Sequence, residues 1–203
     1  MADTLATLER GTTRDAQPTP CAQSELRVYL SGSIRKGSTD HRDPSTFWSP
    51  ENEAELFRPV RSARIVALNP ARTDLRRQDY RANYGADLHL VASSHVLVVD
   101  ARTEKGIGVG AEMMFAQQRG IPVVSVCPPN TNYRRDHVPD VFGEDLTDWV
   151  HPFVFGLSDY LTASFTEAGE LLERAARTGL PRRAEDPDAA IEYYHSAQQG
   201  WRS

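Results

Sequence analysis

The sequence predicts an α/β protein of the flavodoxin/Rossmann-like kind, an open parallel sheet of about five strands flanked by helices. Short β-branched runs recur at residues 26–31, 64–68, 96–100 and 121–126. Between them lie turns rich in Gly, Pro or Asn and stretches whose apolar residues recur every three or four positions. The stretch from His95, HVLVVDARTEKGIGVGAEMMFAQQRGIPVVSV, reads as a complete strand, loop, helix, strand unit. In open parallel sheets ligands sit at the carboxyl ends of the strands, where Asp100 and the turn with Gly106, Gly108 and Gly110 would lie.

The elements follow in order. Residues 1–24, rich in Thr, Ala, Gln and Pro without a hydrophobic period, read as a flexible arm. LRVYLSG alternates and stops at Gly32, as a first strand entering a turn does. Residues 34–50 are polar and punctuated, apart from Phe47 and Trp48, and residues 51–57 suit a short helix. The second strand, 64–68, ends in Asn69-Pro70, a turn signal. Leu88, Val91 and Ala92 give residues 84–94 a helical period, and the strand at 121–126 closes at Pro128-Pro129. Residues 130–148 read as a long loop and 151–155 as a fifth strand. Ser158 or Asp159 then caps a helix through Leu161, Phe165, Ala168, Leu171 and Leu172 to Ala176. This makes an α/β domain over residues 25–178. A polar tail, 179–203, carries a short helix around 189–198, with Tyr193, Tyr194 and Trp201 available for docking.

At 203 residues the chain can bury one sizeable core. A net charge of −5 opposes a nucleic-acid partner, which needs a basic footprint to displace counterions. No apolar run approaches the roughly 20 residues of a membrane-spanning helix. The two cysteines, Cys21 and Cys127, differ too much in setting to suggest a disulfide framework, which makes the cytoplasm the expected compartment. His95 and His151 flank apolar runs and read as structural, and no His/Cys/Asp spacing suggests a metal. Neither a metal nor an organic cofactor is expected.

Two turns carry chemistry. SGSIRKG puts backbone N–H groups, two hydroxyls and two cations at a strand end, a setting for phosphate around Ser33, Ile34, Arg35 and Gly37, with Gly108 and Gly110 contributing from the second turn. Glu112 is expected in the first turn of its helix, where the dipole stabilises an anion, and a carboxylate at a ligand-binding edge can act as a nucleophile. Asp87 reads either as a helix N-cap or as a site carboxylate, and Asp100 as a loop cap or a sugar contact.

Three motifs together resemble the nucleoside 2-deoxyribosyltransferase superfamily over residues 26–175: Tyr29-Leu30-Ser31-Gly32-Ser33-Ile34-Arg35-Lys36-Gly37, then Asp87, then Gly108-Val109-Gly110-Ala111-Glu112 with Gly120-Ile121-Pro122-Val123. The first turn is most similar to that of the superfamily's nucleoside 5′-monophosphate N-glycosidases. The resemblance implies that Glu112 attacks an anomeric carbon, that Tyr29 orients it, and that Asp87 holds the sugar or protonates the leaving base. Gly32, Asp100 and Asn132 would contact sugar or base. It also implies a small-molecule nucleotide substrate and a homodimer or higher homo-oligomer with shared active sites. The activity implied is hydrolysis of the N-glycosidic bond; base exchange by a 2-deoxyribosyltransferase and a non-catalytic nucleotide-binding module are the alternatives. Gly106 stands where family members carry a selective side chain, and Met113-Met114 replaces the usual Leu-Gly.

Overall fold

The strands that read as unbroken apolar runs lie where both sheet faces are covered. The computed structural model describes residues 25–35, 40–72, 79–141 and 143–201. The arm with Cys21, and Lys36 and Gly37 of the first turn, lie outside the described residues. Strands β1 (Glu25–Ser31), β2 (Arg64–Leu68), β3 (Val96–Asp100) and β4 (Val123–Val126) are joined by a later strand, β7 (Tyr160–Thr162). All are parallel, in the order β2-β1-β3-β4-β7. With the intervening hairpin set aside this is the 2-1-3-4-5 order of flavodoxin-like sheets, whose ligand crevice lies between the first and third strands.

The two-residue period of the strands sorts side chains between the faces. Leu26, Val28 and Leu30 of β1 and Val96 and Val98 of β3 pack with Leu56, Phe165 and Leu172. These last come from α1 (Pro50–Phe57) and α5 (Phe165–Thr178). Tyr29, Leu97 and Val99 turn the other way, onto Val91, Val109, Met113 and Ala116 of α2 (Tyr80–Ala92) and α3 (Ile107–Gln118). Tyr29 and Ser31 therefore share the α2/α3 face. Among the described residues no helix is long and apolar enough to cross a membrane.

The α1/α5 contact is tight because Gly169 admits the neighbouring backbone: a Cβ there would lie 2.2 Å from the Leu56 carbonyl oxygen and 2.8 Å from the Pro59 ring. Gly169→Ala is expected to destabilise the fold by about 2–3 kcal/mol, because a backbone obstacle cannot rotate away. Thermal melting measures it, and an unchanged midpoint would contradict this packing.

Several expected elements are corrected. Residues 151–155 are not a strand: α4 (Pro152–Leu157) begins there, with Pro152 in its first turn and His151 Nδ1 accepting from the Phe153 N–H at 3.3 Å. Proline lacks the donor a ladder needs but suits a helix start. The fifth strand is β7, so Leu161 lies in the sheet and Ser164, not Ser158 or Asp159, caps α5 by accepting from the Glu167 N–H. Residues 130–148 are not an irregular loop. An antiparallel hairpin, β5 (Arg134–Val141) and β6 (Glu144–Val150), occupies most of this stretch. Its charged residues show no alternation because the sheet core does not bury either strand. Helix α2 starts at Tyr80, capped by Asp79, which places Asp87 in its middle and removes the N-cap reading. The tail forms α6 (Pro187–Trp201). His95 serves the sheet, its Nδ1 accepting from the Arg27 N–H at 3.2 Å.

Candidate active site

Helix α3 opens at Gly106 without a side-chain cap, and Glu112 is its sixth residue. It thus lies one turn deeper than the sequence suggested, beyond the unpaired N–H groups of the helix start. Its surroundings are the strand end instead. The Ser31 hydroxyl donates to Glu112 Oε2 at 2.5 Å. Burial pushes the Glu112 carboxyl up to about 7, against the opposing pull of the Ser31 hydrogen bond and the nearby Tyr29 hydroxyl, while Asp87 adds to the rise.

Tyr29 is fully buried, and its hydroxyl is the one buried side-chain N or O atom among the described residues without a hydrogen-bond partner. Burial, then the charges of Glu112 and Asp87, make this phenol harder to ionise than usual. The Asp87 carboxyl is itself raised by burial. β1, α2 and α3 thus bring Tyr29, Asp87 and Glu112 into one electrostatic unit, although they are widely separated in the chain. An orphaned buried hydroxyl beside two proton-avid carboxyls is costly unless a ligand uses it.

Glu112 and Asp87 line a cavity of about 680 Å³, a size that suits a small organic ligand. Gly32, Ser33, Ile34 and Arg35 from the end of β1 form one wall, and Gly106, Ile107 and Gly108 form another. Arg42 lines it too. The Arg35 and Arg42 guanidinium groups lie 5.8 and 4.8 Å from the centre of the Phe47 ring, so one aromatic side chain holds both cations. Arg42 is further fixed by a forked contact to Asp40 at 2.6 and 2.9 Å and by donation to the Ile34 carbonyl at 2.9 Å. The cavity therefore joins cations on its wall to carboxyls beneath.

Other expected residues lie elsewhere. Asp100 does not line the cavity: it is 1% exposed, with Arg102 bound to both its oxygens at 2.8 and 3.1 Å and Lys105 Nζ at 3.5 Å. Lys105 Nζ also donates to the Thr46 carbonyl at 3.1 Å and Arg102 to the Ser45 carbonyl at 3.0 Å. Asp100 is thus the centre of a brace that ties the loop before α3 to the segment carrying Phe47 and Trp48. Gly110 lines a separate apolar hollow of about 390 Å³ between α3 and α4, and Asn132 is exposed ahead of β5. Gly37 lies outside the described residues.

The structure adds Ser31, Arg42, Trp48 and Tyr80. Ser31 was detectable, standing two residues after Tyr29 and so on the same face. Tyr80 lines the cavity from the start of α2 and is 82% exposed. Arg42 and Trp48 gave no periodic signal, because a long irregular segment brings them in. Among the described residues no group of three or more His, Cys, Asp or Glu is disposed to hold a metal ion.

No family model matches the sequence, and no curated protein matches it. The fold is similar to that of a solved structure, a conserved protein from Enterococcus faecalis V583, with a TM-score of 0.50 at 18% identity over 74% of this chain and 98% of that one. At that identity the likeness supports the fold alone.

Proposed function

We propose that this protein hydrolyses the N-glycosidic bond of a nucleoside 5′-monophosphate in the cytoplasm, releasing the free base and (deoxy)ribose 5-phosphate. The observation that carries the reading is the cavity joining Glu112 and Asp87 to the Arg35/Arg42 wall, with the buried Tyr29 hydroxyl behind it close enough to feel both carboxyl charges. The resemblance to nucleoside 2-deoxyribosyltransferases supplies the chemistry that fits it. Glu112 attacks the anomeric carbon, the C–N bond breaks with its electron pair leaving on the base, and the Asp87 carboxyl protonates that base. Water then adds to the anomeric carbon, its proton passes to Asp87, and Glu112 departs as a carboxylate. The raised Asp87 carboxyl favours its role as the proton donor. Arg35, Ser33, Ile34 and Gly108 take the phosphate, as a strand-end turn with hydroxyl, N–H and guanidinium donors can.

A screen of ribo- and deoxyribonucleoside monophosphates for base release, with nucleosides as controls, tests the reading. Exchange of an added free base into product would favour a transferase instead, and binding with no base release a nucleotide-binding module. Arg35→Ala is expected to raise KM for monophosphates about tenfold or more, the scale of one charge-assisted contact, and to leave nucleosides unaffected. Equal effects on both would remove phosphate from the reading. The proposal includes a homodimer or higher homo-oligomer with shared sites. Phe153 and Phe155, 68% and 56% exposed near the apolar hollow, support it, and light scattering reads it directly.

A further inference from the structure

Three observations around the end of β1 have a common explanation. Ser31 is fully buried, and its hydroxyl is spent on Glu112 Oε2. The Trp48 Nε1–H donates to the Ser31 carbonyl at 3.1 Å. A Cβ on Gly32 would lie 2.8 Å from that same Nε1, so the indole reaches the strand end only because residue 32 is glycine. Trp48 is held in turn by the Phe165 ring, 5.1 Å away between centroids. Together these make a short chain, Phe165 to Trp48 to Ser31 to Glu112, running from the α5 side of the sheet to the cavity.

We propose that Ser31, locked in place by Trp48, is a positioning residue that holds Glu112 by Oε2 and leaves Oε1 as the oxygen turned to the substrate. This deepens the glycosidase reading and rests on it for the identity of the reaction. The hydrogen bond itself is independent of that reading. It also explains why the Phe47-Trp48 pair interrupts an otherwise polar segment, and gives Gly32 a packing role beneath the indole.

The role is a matter of the hydrogen-bond inventory. Among the described residues Ser31 is the one donor with a formed hydrogen bond to the carboxylate; Oε1 accepts none, and the Tyr29 hydroxyl lies near enough to favour the anion but completes no bond. The titratable and charged groups facing Glu112 are Tyr29 from β1 and Asp87 from α2, with Arg35 and Arg42 on the wall of the same cavity. Burial and, less, the Asp87 charge oppose ionisation of Glu112, and the Ser31 hydroxyl, with the Tyr29 hydroxyl behind it, favours it. A structural hydroxyl with no hold on the carboxylate would not move its titration.

The experiment follows the carboxyl-stretch titration of Glu112 by infrared difference against Glu112→Gln, in protein without substrate. Ser31→Ala is expected to raise the Glu112 midpoint by about one to two pH units, the worth of one charge-assisted hydrogen bond. Trp48→Phe, which keeps the hydroxyl but frees the strand end, is expected to move it in the same direction by less. Should Ser31→Ala not fold, Ser31→Cys, a weaker donor of similar size, is expected to give a shift of about half a unit. An unchanged midpoint in a folded Ser31 variant overturns the proposal. Because the readout needs no turnover, a protein that never releases base would defeat the glycosidase reading while leaving this result standing. Where base release is found, the ascending limb of its pH profile is expected to move with the same midpoint.

Discussion

Glu112→Gln is expected to abolish base release, with a loss of at least about a thousandfold, because an amide oxygen cannot form and then release the glycosyl ester. A second effect separates the catalytic reading from loss of fold. In the folded protein the Glu112 carboxyl is raised from 4.5 to about 7. Between those values the native state keeps a proton that the unfolded chain has released, so stability falls as pH rises through that window. Above pH 7 the full cost of the buried anion is present. Glutamine removes it, and the variant is expected to be more stable than the parent at pH 8, by up to about 3 kcal/mol, and little different at pH 4. Thermal melting at the two pH values measures the difference, and turnover at the parental rate would end Glu112's role as nucleophile. The parent is expected to gain activity as pH rises through about 7, as the attacking anion forms.

Asp159→Ala is expected to cost about 3 kcal/mol, the scale for removing one partner of a buried ion pair. The Asp159 side chain is fully buried and holds the segment after α5 against the sheet. Arg182 Nε meets both its oxygens at 2.9 and 3.1 Å, and the Arg183 and Ala184 N–H groups donate to Oδ1 at 2.5 and 2.9 Å. The Val123 N–H donates to Oδ2 at 2.8 Å, which joins this segment to the start of β4. The Tyr160 hydroxyl adds a bond to the Pro181 carbonyl at 2.9 Å. Burial alone would raise the Asp159 carboxyl, but the three N–H donors and Arg182 together hold it below its ordinary value. Its stabilisation is therefore complete above about pH 4, the unfolded value, and is lost as pH falls through the lower folded value. The variant's deficit is expected to shrink toward parity in strong acid. A constant deficit across that range would mean that Asp159 acts through packing and not through its charge.

The central sheet was legible because its strands are covered on both faces, which leaves apolar runs that need no partner to be recognised. Glu112 and the SGSIR turn were picked out for a related reason: glycines after a strand and a carboxylate following them are local signals, although they put Glu112 one turn too near the start of its helix. The hairpin was not, since neither of its strands is buried by the core and no alternation marks it. Residues 151–155 misled because consecutive apolar residues suit a strand or a helix, and Pro152 decides only once its position at a helix start is known. Asp100 shows the same limit at the site. Its place at a strand end is written in the chain, yet whether it faces a ligand or a brace depends on Arg102 and Lys105 folding back onto it.

By itself, then, the sequence determined the α/β class, the parallel strands and the carboxylate behind the glycine turn, all properties of period and local composition. Tertiary structure alone decided that the Ser31 hydroxyl bonds that carboxylate while Trp48 bonds the Ser31 carbonyl, that Arg42 joins Arg35 on the cavity wall, and that Asp100 is withdrawn from it. The physical reason is that hydrogen bonds and ion pairs between distant segments depend on where the chain returns, and an irregular segment such as 40–49 carries no period from which its return could be read.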